Sequence, residues 1–373
     1  MKTIIFLASI LLFITGCSAE ESSGSDNNAD QDSTFYESSD VIEMVVPYGA
    51  GGGSDTASRY VAEFLGEHIE GDPSVQVVNI TGGGGLTGAN DFAMREADGY
   101  SIFASNTAIL APYLLGREEA QFDMDDWEPF LGVPLNSVMS ISTTTGYEEP
   151  KDLLEFEEEE LPVGIHDPIG SIRQILQLEF LGITDKLNFV QGYDGGGELM
   201  AALERGEISL DSQAETTYFD SIVPMEESGA TIPLFQNGYL NEEGNFEGNP
   251  DIDAPTMQEL YKEMYGEEPS GPIWDANLLF NGSLTQVYRV FYVHKDTPEE
   301  VIEILKEAAQ EAIQDQEFID GAINALGTED LLAGEQLENA LKQQEENMRP
   351  EVLQFVQELF TDKYDVPGLG SNE

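Results

Sequence analysis

The fold of this chain is decided by two glycine-rich turns, Pro47-Tyr48-Gly49-Ala50-Gly51-Gly52-Gly53-Ser54-Asp55 and Thr81-Gly82-Gly83-Gly84-Gly85-Leu86-Thr87-Gly88-Ala89-Asn90. Each turn follows an apolar run and precedes a pattern typical of a helix. Glycine lets the backbone approach a ligand closely, and a helix N-terminus adds unpaired N–H donors and a positive dipole end. We therefore expect an anion site. Neither turn has the Lys of a phosphate-binding loop, which argues against a nucleotide.

Around these turns, apolar runs alternate with helical patterns. Residues 42–46, 75–80 and 101–104 have the composition of strands, and residues 56–68 have helical spacing. This alternation predicts a mainly parallel sheet with crossover helices. Such sheets bind ligands at the carboxyl ends of their strands, where both turns would lie.

The chain is long enough for two α/β lobes, because one core rarely holds more than about 250 to 300 residues. We expect lobe 1 to comprise residues 41–140 and 231–373, and lobe 2 residues 141–230. Residues 133–142 are the predicted crossing into lobe 2, and residues 231–235 the predicted strand that returns to lobe 1. The spacing over residues 298–314 predicts an amphipathic helix.

Further motifs follow the turns in a recognisable order. They are Asn79-Ile80-Thr81, Ala97-Asp98-Gly99-Tyr100, Ser105-Asn106-Thr107, Gly170-Ser171, Tyr193-Asp194-Gly195-Gly196-Gly197-Glu198, Leu203-Glu204-Arg205-Gly206-Glu207-Ile208 and Asp253-Ala254-Pro255-Thr256. Together with the first turn and Arg59, this ordered set resembles the solute-binding receptors of tripartite tricarboxylate transporters, also called Bug receptors. The likeness extends through most of the chain beyond its N-terminal segment.

The resemblance implies a fold of the type II periplasmic-binding-protein class, with two lobes joined by a hinge. It also implies a function, the capture of a small organic carboxylate and its delivery to a permease of one large and one small membrane subunit. The protein would be a monomer without a cofactor, and it would not be an enzyme.

The candidate ligand-binding residues lie in the turns and at the corresponding points of the second lobe. In the first lobe they are Tyr48, Gly49, Gly52, Gly53, Ser54, Asp55, Gly84, Gly85, Ser105 and Asn106, and in the second lobe Gly170, Ser171, Arg173, Tyr193 and Gln213. Alternatives stay open: Asp55 and the 105–107 segment could cap helices, Tyr48 could be a surface aromatic, and Asp211 could contact the ligand or cap.

Arg173 is unusual because it lies in the first turn of a predicted helix, where the dipole disfavours a cation. Receptors of this family usually have small hydroxyl residues at this point. A bidentate contact with a ligand carboxylate would justify the arginine, and so would an ion pair with a nearby Asp. The sequence favours neither alternative.

The N-terminus has the features of an export signal. An apolar stretch over residues 4–14 follows Lys2 and is too short to span a bilayer. Ile14-Thr15-Gly16-Cys17 resembles a lipoprotein box, so we expect a signal peptide over residues 1–16 and lipidation of Cys17. Residues 17–40 are predicted to be a disordered tether. The expected location is the outer face of the cytoplasmic membrane, with the lipid as the membrane contact.

The composition excludes several functions. The net charge of −57 argues against nucleic acid as a partner. Cys17 is the sole cysteine and the three His are scattered, so no metal-ligand pattern is present. No Gly-x-Ser-x-Gly nucleophile motif occurs. Two rivals stay open: a receptor that reports the solute to a signalling partner, and an α/β enzyme that uses the turns as an anion site.

The charge also predicts a dependence on salt. The acidic residues are spread along the chain, and their repulsion destabilises the compact state unless ions screen it. A halophilic or haloalkaliphilic source accounts for this composition, and an ordinary acidic exported protein is the alternative. We expect the melting temperature to rise steeply between low salt and molar NaCl or KCl. A melting temperature that does not change with salt concentration would contradict the halophilic interpretation.

Overall fold

Two five-stranded sheets form the framework of the computed structural model, which describes residues 34–157, 160–193, 196–241 and 243–370. The residues from Phe35 to Glu373 form one unit, and Met1–Thr34 are a separate one. The predicted signal peptide, Cys17 and most of the predicted tether lie outside the described residues, as does Asp194.

The first sheet has the order β2-β1-β3-β12-β4. Its strands are β1 (Val41–Val46), β2 (Ser74–Asn79), β3 (Ser101–Asn106), β4 (Trp127–Val133) and β12 (Arg289–His294). β1 pairs in parallel with β2 and β3, whereas β12 runs antiparallel to β3 and β4. Both glycine turns therefore lie at the carboxyl ends of neighbouring parallel strands, as predicted.

The second sheet repeats this design with the order β7-β6-β8-β5-β9. Its strands are β5 (Ser137–Ser142), β6 (Leu161–Ile165), β7 (Leu187–Gln191), β8 (Leu210–Ala214) and β9 (Thr231–Gln236). β6 pairs in parallel with β7 and β8, and β5 is antiparallel to β8 and β9. A short hairpin follows, made of β10 (Tyr239–Leu240) and β11 (Phe246–Glu247).

Helices cover both sheets. They are α1 (Gly53–His68), α2 (Leu86–Ala93), α3 (Thr107–Leu114), α4 (Ile172–Phe180), α5 (Gly196–Glu204), α6 (Glu215–Thr217), α7 (Val223–Glu227), α8 (Met257–Tyr265), α9 (Pro272–Asn277), α10 (Leu284–Gln286), α11 (Glu299–Ala312), α12 (Gln316–Leu326), α13 (Glu335–Asn347) and α14 (Pro350–Tyr364), with π-helical turns at Tyr218–Ile222 and Leu278–Ser283. The predicted amphipathic helix is α11, and it buries Val301, Leu305 and Ala308 in the core of the first sheet.

The lobes meet at two chain crossings. One joins β4 to β5 through residues 134–136, and the other precedes β12. The crossings are linked because Leu135 N–H donates to Thr285 O at 2.8 Å. Asn136 Oδ1 accepts from Ser137 N–H and Gly238 N–H, and its Nδ2 donates to Glu215 Oε2 at 2.7 Å. These bonds satisfy a buried amide and fix the geometry of the hinge.

The predicted lobe boundaries need two corrections. Residues 137–140 and 231–236 belong to the second sheet, because β9 pairs with β5. The chain returns to the first sheet only at β12. The sequence prediction was wrong here because the apolar run of β9 suits the core of either sheet, and the choice depends on its long-range partner.

The predicted tether also ends earlier than residue 40. Phe35 and Tyr36 pack against the core of the first sheet, where Tyr36 is fully buried. The Tyr36 hydroxyl donates to Gly99 O at 2.7 Å. Two adjacent aromatics bury enough apolar surface to order the chain, and the composition-based prediction did not weigh them.

Candidate functional site

The first glycine turn is held in place by Asp55. Its carboxylate accepts from Gly51 N–H at 2.8 Å, from Asn79 Nδ2 at 2.8 Å and from Arg59 Nε and Nη2 at 2.9 Å each. Asn79 Nδ2 also donates to Tyr48 O. The hydrogen bonds from Arg59 are the main cause that lowers the pKa of Asp55 to about 2. Asp55 therefore does not cap α1; both of its oxygens position the turn, and we expect no ligand contact from it.

Tyr48 belongs to the first turn, and its hydroxyl lies beside Gly85 of the second turn. Its hydroxyl donates to Asn106 Oδ1 at 2.7 Å, and the same oxygen caps α3 by accepting from Ala108 N–H at 3.0 Å. Asn106 Nδ2 donates to Ser54 Oγ at 3.4 Å. Burial raises the pKa of Tyr48, so the hydroxyl stays protonated and donates. Tyr48 thus joins the first turn to the end of β3, Asn106 caps α3, and Ser105 is a buried residue of β3 opposite Val290.

The second turn packs directly against Tyr48. Gly82 to Gly85 all have positive φ, which L side chains rarely adopt. At Gly85 an added Cβ would lie 3.0 Å from Ile109 Cγ1 and 3.2 Å from the Tyr48 hydroxyl. Gly84 has open space at the same point. Gly85 is therefore required for close packing, and Gly84 for its backbone angle alone.

This contrast gives a prediction. We expect Gly85→Ala to lower the stability of the protein by roughly 1–3 kcal/mol, since it adds steric overlap to backbone strain. Gly84→Ala is the control and should cost about 1 kcal/mol through φ alone. Denaturant unfolding of both variants measures the difference. Equal losses would show that Tyr48 and Ile109 do not constrain the turn.

In the second lobe, the start of α4 is already hydrogen-bonded. Asp167 Oδ1 accepts from Ile169 N–H and Gly170 N–H, and Ser171 Oγ accepts from His166 N–H at 3.1 Å. The N–H groups of Ile169 and Gly170, just before α4, therefore already have an acceptor within the protein and are not available to a ligand in this conformation. Among residues 166–173, the side chain of Arg173 is then the strongest remaining donor.

A cavity of about 200 Å³ lies between the lobes, next to the start of α4. Its walls come from the start of α3, the start of α4, the end of β8 and the crossing segment. They include Thr107, Ala108, His166, Gly170, Ser171, Arg173, Ser212, Ala214 and Tyr288. Of the second-lobe candidates, Gly170, Ser171 and Arg173 line this cavity.

Arg173 has no ion-pair partner among the described residues. Its Nε is buried without a hydrogen-bond partner there, and its guanidinium carbon lies 5.5 Å from the centre of the Tyr288 ring. Burial lowers the pKa of Arg173 because it disfavours the charged form, although an arginine stays protonated in proteins. The sequence left two explanations for Arg173, a contact with a ligand carboxylate or an ion pair with Asp. The described part of the chain contains no such ion pair.

Sequence reasoning missed a second arginine. Arg289 begins β12, and its guanidinium carbon lies 5.3 Å from the centre of the same Tyr288 ring. Its Nε and Nη1 are buried and lack hydrogen-bond partners in the described structure. Arg289 Nη2 lies 3.9 Å from the position of a Cβ on Gly53, at the start of α1. The scarcity of cations that singled out Arg173 applies equally to Arg289 and could have found it.

Two further candidates lie behind the cavity wall. Gln213 does not line the cavity, and its Nε2 donates to Asp211 Oδ2 at 2.6 Å. Burial raises the pKa of Asp211 to about 6. Tyr193 O is 2.8 Å from His166 Nδ1, and the Tyr193 ring packs against Gly164. Ser212 lines the cavity where Gln213 was the sequence candidate.

The molecule also has a larger cavity elsewhere, of about 1070 Å³. It lies among α3, β4, α13 and α14, with Trp127, Leu341 and Leu353 in its walls. None of the predicted site residues lines it. In the described ranges, no helix has the length and apolarity needed to cross a membrane. A search of the same residues finds no group of three or more His, Cys, Asp or Glu suited to hold a metal ion.

Comparison with known proteins supports the interpretation of the motifs. No family model matches the chain. Over 75 residues the chain is 37% identical to Protein BugT of Bordetella pertussis, a match that spans 20% of this chain and 22% of BugT. The match thus covers about a fifth of that relative's length.

Similarity to solved structures extends over most of the chain. The periplasmic binding protein BugD matches with a TM-score of 0.59 and 22% identity, over 86% of this chain and 96% of BugD. Rpa4515 of R. palustris, solved with adipate, matches with a TM-score of 0.61 and 18% identity, over 86% and 97%. The fold is that of the periplasmic binding proteins, with two α/β lobes. The resemblance to Bug receptors that the motifs indicate is confirmed.

Proposed function

We propose that this protein is an extracytoplasmic receptor that binds a small carboxylate between its two lobes. The proposal rests on one observation above all: Arg173, in a chain with 72 acidic residues, lines an interlobe cavity and makes no ion pair with any described residue. A half-buried cation without an ionic partner is costly, and a ligand carboxylate would compensate it. The adipate bound to Rpa4515, which shares the fold, supports the same class of solute.

Backbone groups complete the proposed site. The first turn is fixed by Asp55 before any ligand arrives, so its donors at the start of α1 bind with little ordering cost. Closure about the crossings at Leu135 and Asn136 would bring α4 towards α1 and exclude water. The closed form would then differ in shape from the empty form, and a partner protein could recognise that the solute is bound.

We further propose that the partner is the two-subunit permease of a tripartite tricarboxylate transporter. A sensor that reports to a signalling protein is the alternative, and neighbouring genes distinguish the two: permease genes favour transport and a kinase gene favours sensing. The enzyme hypothesis is weaker, because His166, the histidine that lines the cavity, has its Nδ1 2.8 Å from Tyr193 O, and its ring makes no hydrogen bond to a serine hydroxyl among the described residues.

The proposed lipid anchor can be tested directly. Cys17 follows Ile14-Thr15-Gly16 in the pattern of a lipoprotein box. Cys17→Ser is expected to move the protein from the membrane fraction to the soluble fraction. Continued fractionation of the variant with membranes would place the anchor elsewhere.

The proposed function itself is tested by a thermal-shift screen of mono-, di- and tricarboxylates, with sugars and amino acids as comparison, at about 1 M salt where the acidic surface is screened. We expect at least one carboxylate to raise the melting temperature. A response to sugars alone would overturn the proposal.

A further inference from the structure

We propose that the larger cavity, among α3, β4, α13 and α14, is a second binding site, for a small uncharged molecule with an apolar body and a polar group that donates a hydrogen bond. This site does not depend on the function proposed for the interlobe cavity. Its evidence is a pair of nearly buried polar side chains, Tyr292 and Gln344, that line the larger cavity and lack hydrogen-bond partners among the described residues.

Apolar side chains form much of the cavity wall. Leu114, Leu341, Met348 and Leu353 are half-buried there, and the nearly buried Trp127 lies beside them. The volume of about 1070 Å³ is close to the upper limit of about 300–1,000 Å³ that is usual for small-molecule sites. An apolar ligand that displaces water from these side chains gains free energy in proportion to the area it covers. The wall therefore favours a ligand with an apolar body.

Two polar side chains interrupt this apolar wall. Tyr292 of β12 is 7% exposed and Gln344 of α13 is 9% exposed. Gln344 Oε1 is fully buried and has no hydrogen-bond partner in the described part of the chain. Burial alone raises the pKa of the Tyr292 hydroxyl, which has no partner among those residues either and stays protonated. Proteins pair most of their buried polar groups, so we expect a ligand to supply the missing hydrogen bonds.

The unpaired groups define the polar end of the ligand. Gln344 Oε1 is an acceptor, so the ligand must bring an N–H or O–H donor, whereas the Tyr292 hydroxyl can donate to a ligand oxygen. Both groups are uncharged, and a charged group buried against them would lose its hydration without gaining an ionic partner. A primary carboxamide has the donor and the acceptor that this pair requires. A carboxylate has no donor for Gln344.

The exposed rim of the cavity also disfavours anions. Asp125, Glu345, Glu358 and Asp362 line it and make no ion pair with any described residue, and Lys295 is the one cation among the lining residues. In so acidic a chain these carboxylates do not by themselves indicate a ligand, but their field repels negative charge. The larger cavity and the interlobe cavity should therefore select different classes of molecule.

The experiment titrates hexanamide, heptanamide and octanamide, each paired with the carboxylate of equal carbon number, at about 1 M salt. The chain has two tryptophans, so Trp274→Phe makes the emission of Trp127 a reporter of the larger cavity. We expect the best amide to bind at one site per chain and at least about tenfold more tightly than its carboxylate. A carboxylate that changes Trp127 emission at the same concentration as its amide would overturn the proposal, and so would the lack of a response to every amide.

Two variants test the polar pair. Tyr292→Phe and Gln344→Leu should each weaken amide binding about three- to tenfold, while the melting temperature of the empty protein stays constant or rises. Tyr218→Phe is the matched control: Tyr218 is nearly buried outside this cavity, and its hydroxyl donates to Glu226 Oε2 at 3.0 Å. It should lower the melting temperature and leave amide binding unchanged. Amide affinity that neither Tyr292→Phe nor Gln344→Leu alters would show that the pair does not contact a ligand and would overturn the proposal.

Discussion

Replacing Arg173 by Gln is expected to weaken carboxylate binding about ten- to hundredfold, while the melting temperature of the empty protein stays constant or rises. A hydrogen bond to a charged group contributes about 1.5–3 kcal/mol, which corresponds to that loss in affinity. The empty protein should not lose stability, because the substitution removes a half-buried cation with no ion-pair partner among the described residues. Calorimetry and thermal unfolding of the same preparation measure the two effects.

The control for this prediction is Arg205→Gln, which removes an arginine from an exposed ion pair and should alter neither quantity. Arg173→Lys adds a finer test, because lysine keeps the charge but lacks the planar fork, and it should recover only part of the affinity. A large fall in melting temperature without a change in affinity would show that Arg173 is a structural residue. The second-lobe contact would then have to be sought at Ser171.

The second large effect is expected at Asp55. Asp55→Asn removes the charge that holds Arg59 and Gly51, so the first turn loses its fixed geometry. We expect a loss of stability of about 2 kcal/mol, or roughly 4 °C in melting temperature, together with a clear loss of carboxylate affinity. Asp91→Asn is the matched control, because Asp91 pairs with Arg95 at the same i,i+4 spacing on an exposed surface. It should cost less than about 0.5 kcal/mol.

The pH dependence of this effect has a definite sign. The pKa of Asp55 is about 2 in the folded protein and 3.8 in its ordinary range. The stabilisation by its ionised form is therefore present above about pH 4 and is lost as the pH falls through 2. The difference in stability between the wild-type protein and Asp55→Asn should shrink over that interval. A difference that stays constant from pH 5 to pH 2 would contradict the assigned role of Asp55.

The sequence predicted local features well. The positions of both glycine turns, α1 and the first three strands follow from patterns within a few residues, because glycine, apolar alternation and helix periodicity act locally. The partner of β9 could not be predicted, since its pairing with β5 is a long-range contact that neither strand encodes alone. The scarcity of cations could have singled out Arg289, but its position beside the Tyr288 ring that Arg173 also contacts depends on how the chain returns from the second lobe.

The role of Asp55 was open in the sequence for another reason. An acidic residue at the start of a helix can cap it, contact a ligand or pair with the arginine four residues later. In the structure, Asp55 pairs with this arginine, and Asn79 at the end of the neighbouring strand β2 also donates to its carboxylate. The contact with Asn79 depends on how the two strands pair. Side chains that meet across strands are the part of a site that a single sequence leaves open.

The most direct test is a crystal structure of the protein with the carboxylate that gives the largest thermal shift. We expect electron density for the ligand between the lobes, with a carboxylate within about 3 Å of the Arg173 guanidinium and close to the start of α1. The cavity among α3, β4, α13 and α14 should stay free of it. A carboxylate bound in that larger cavity, with the interlobe region unoccupied, would show that the solute does not bind between the lobes.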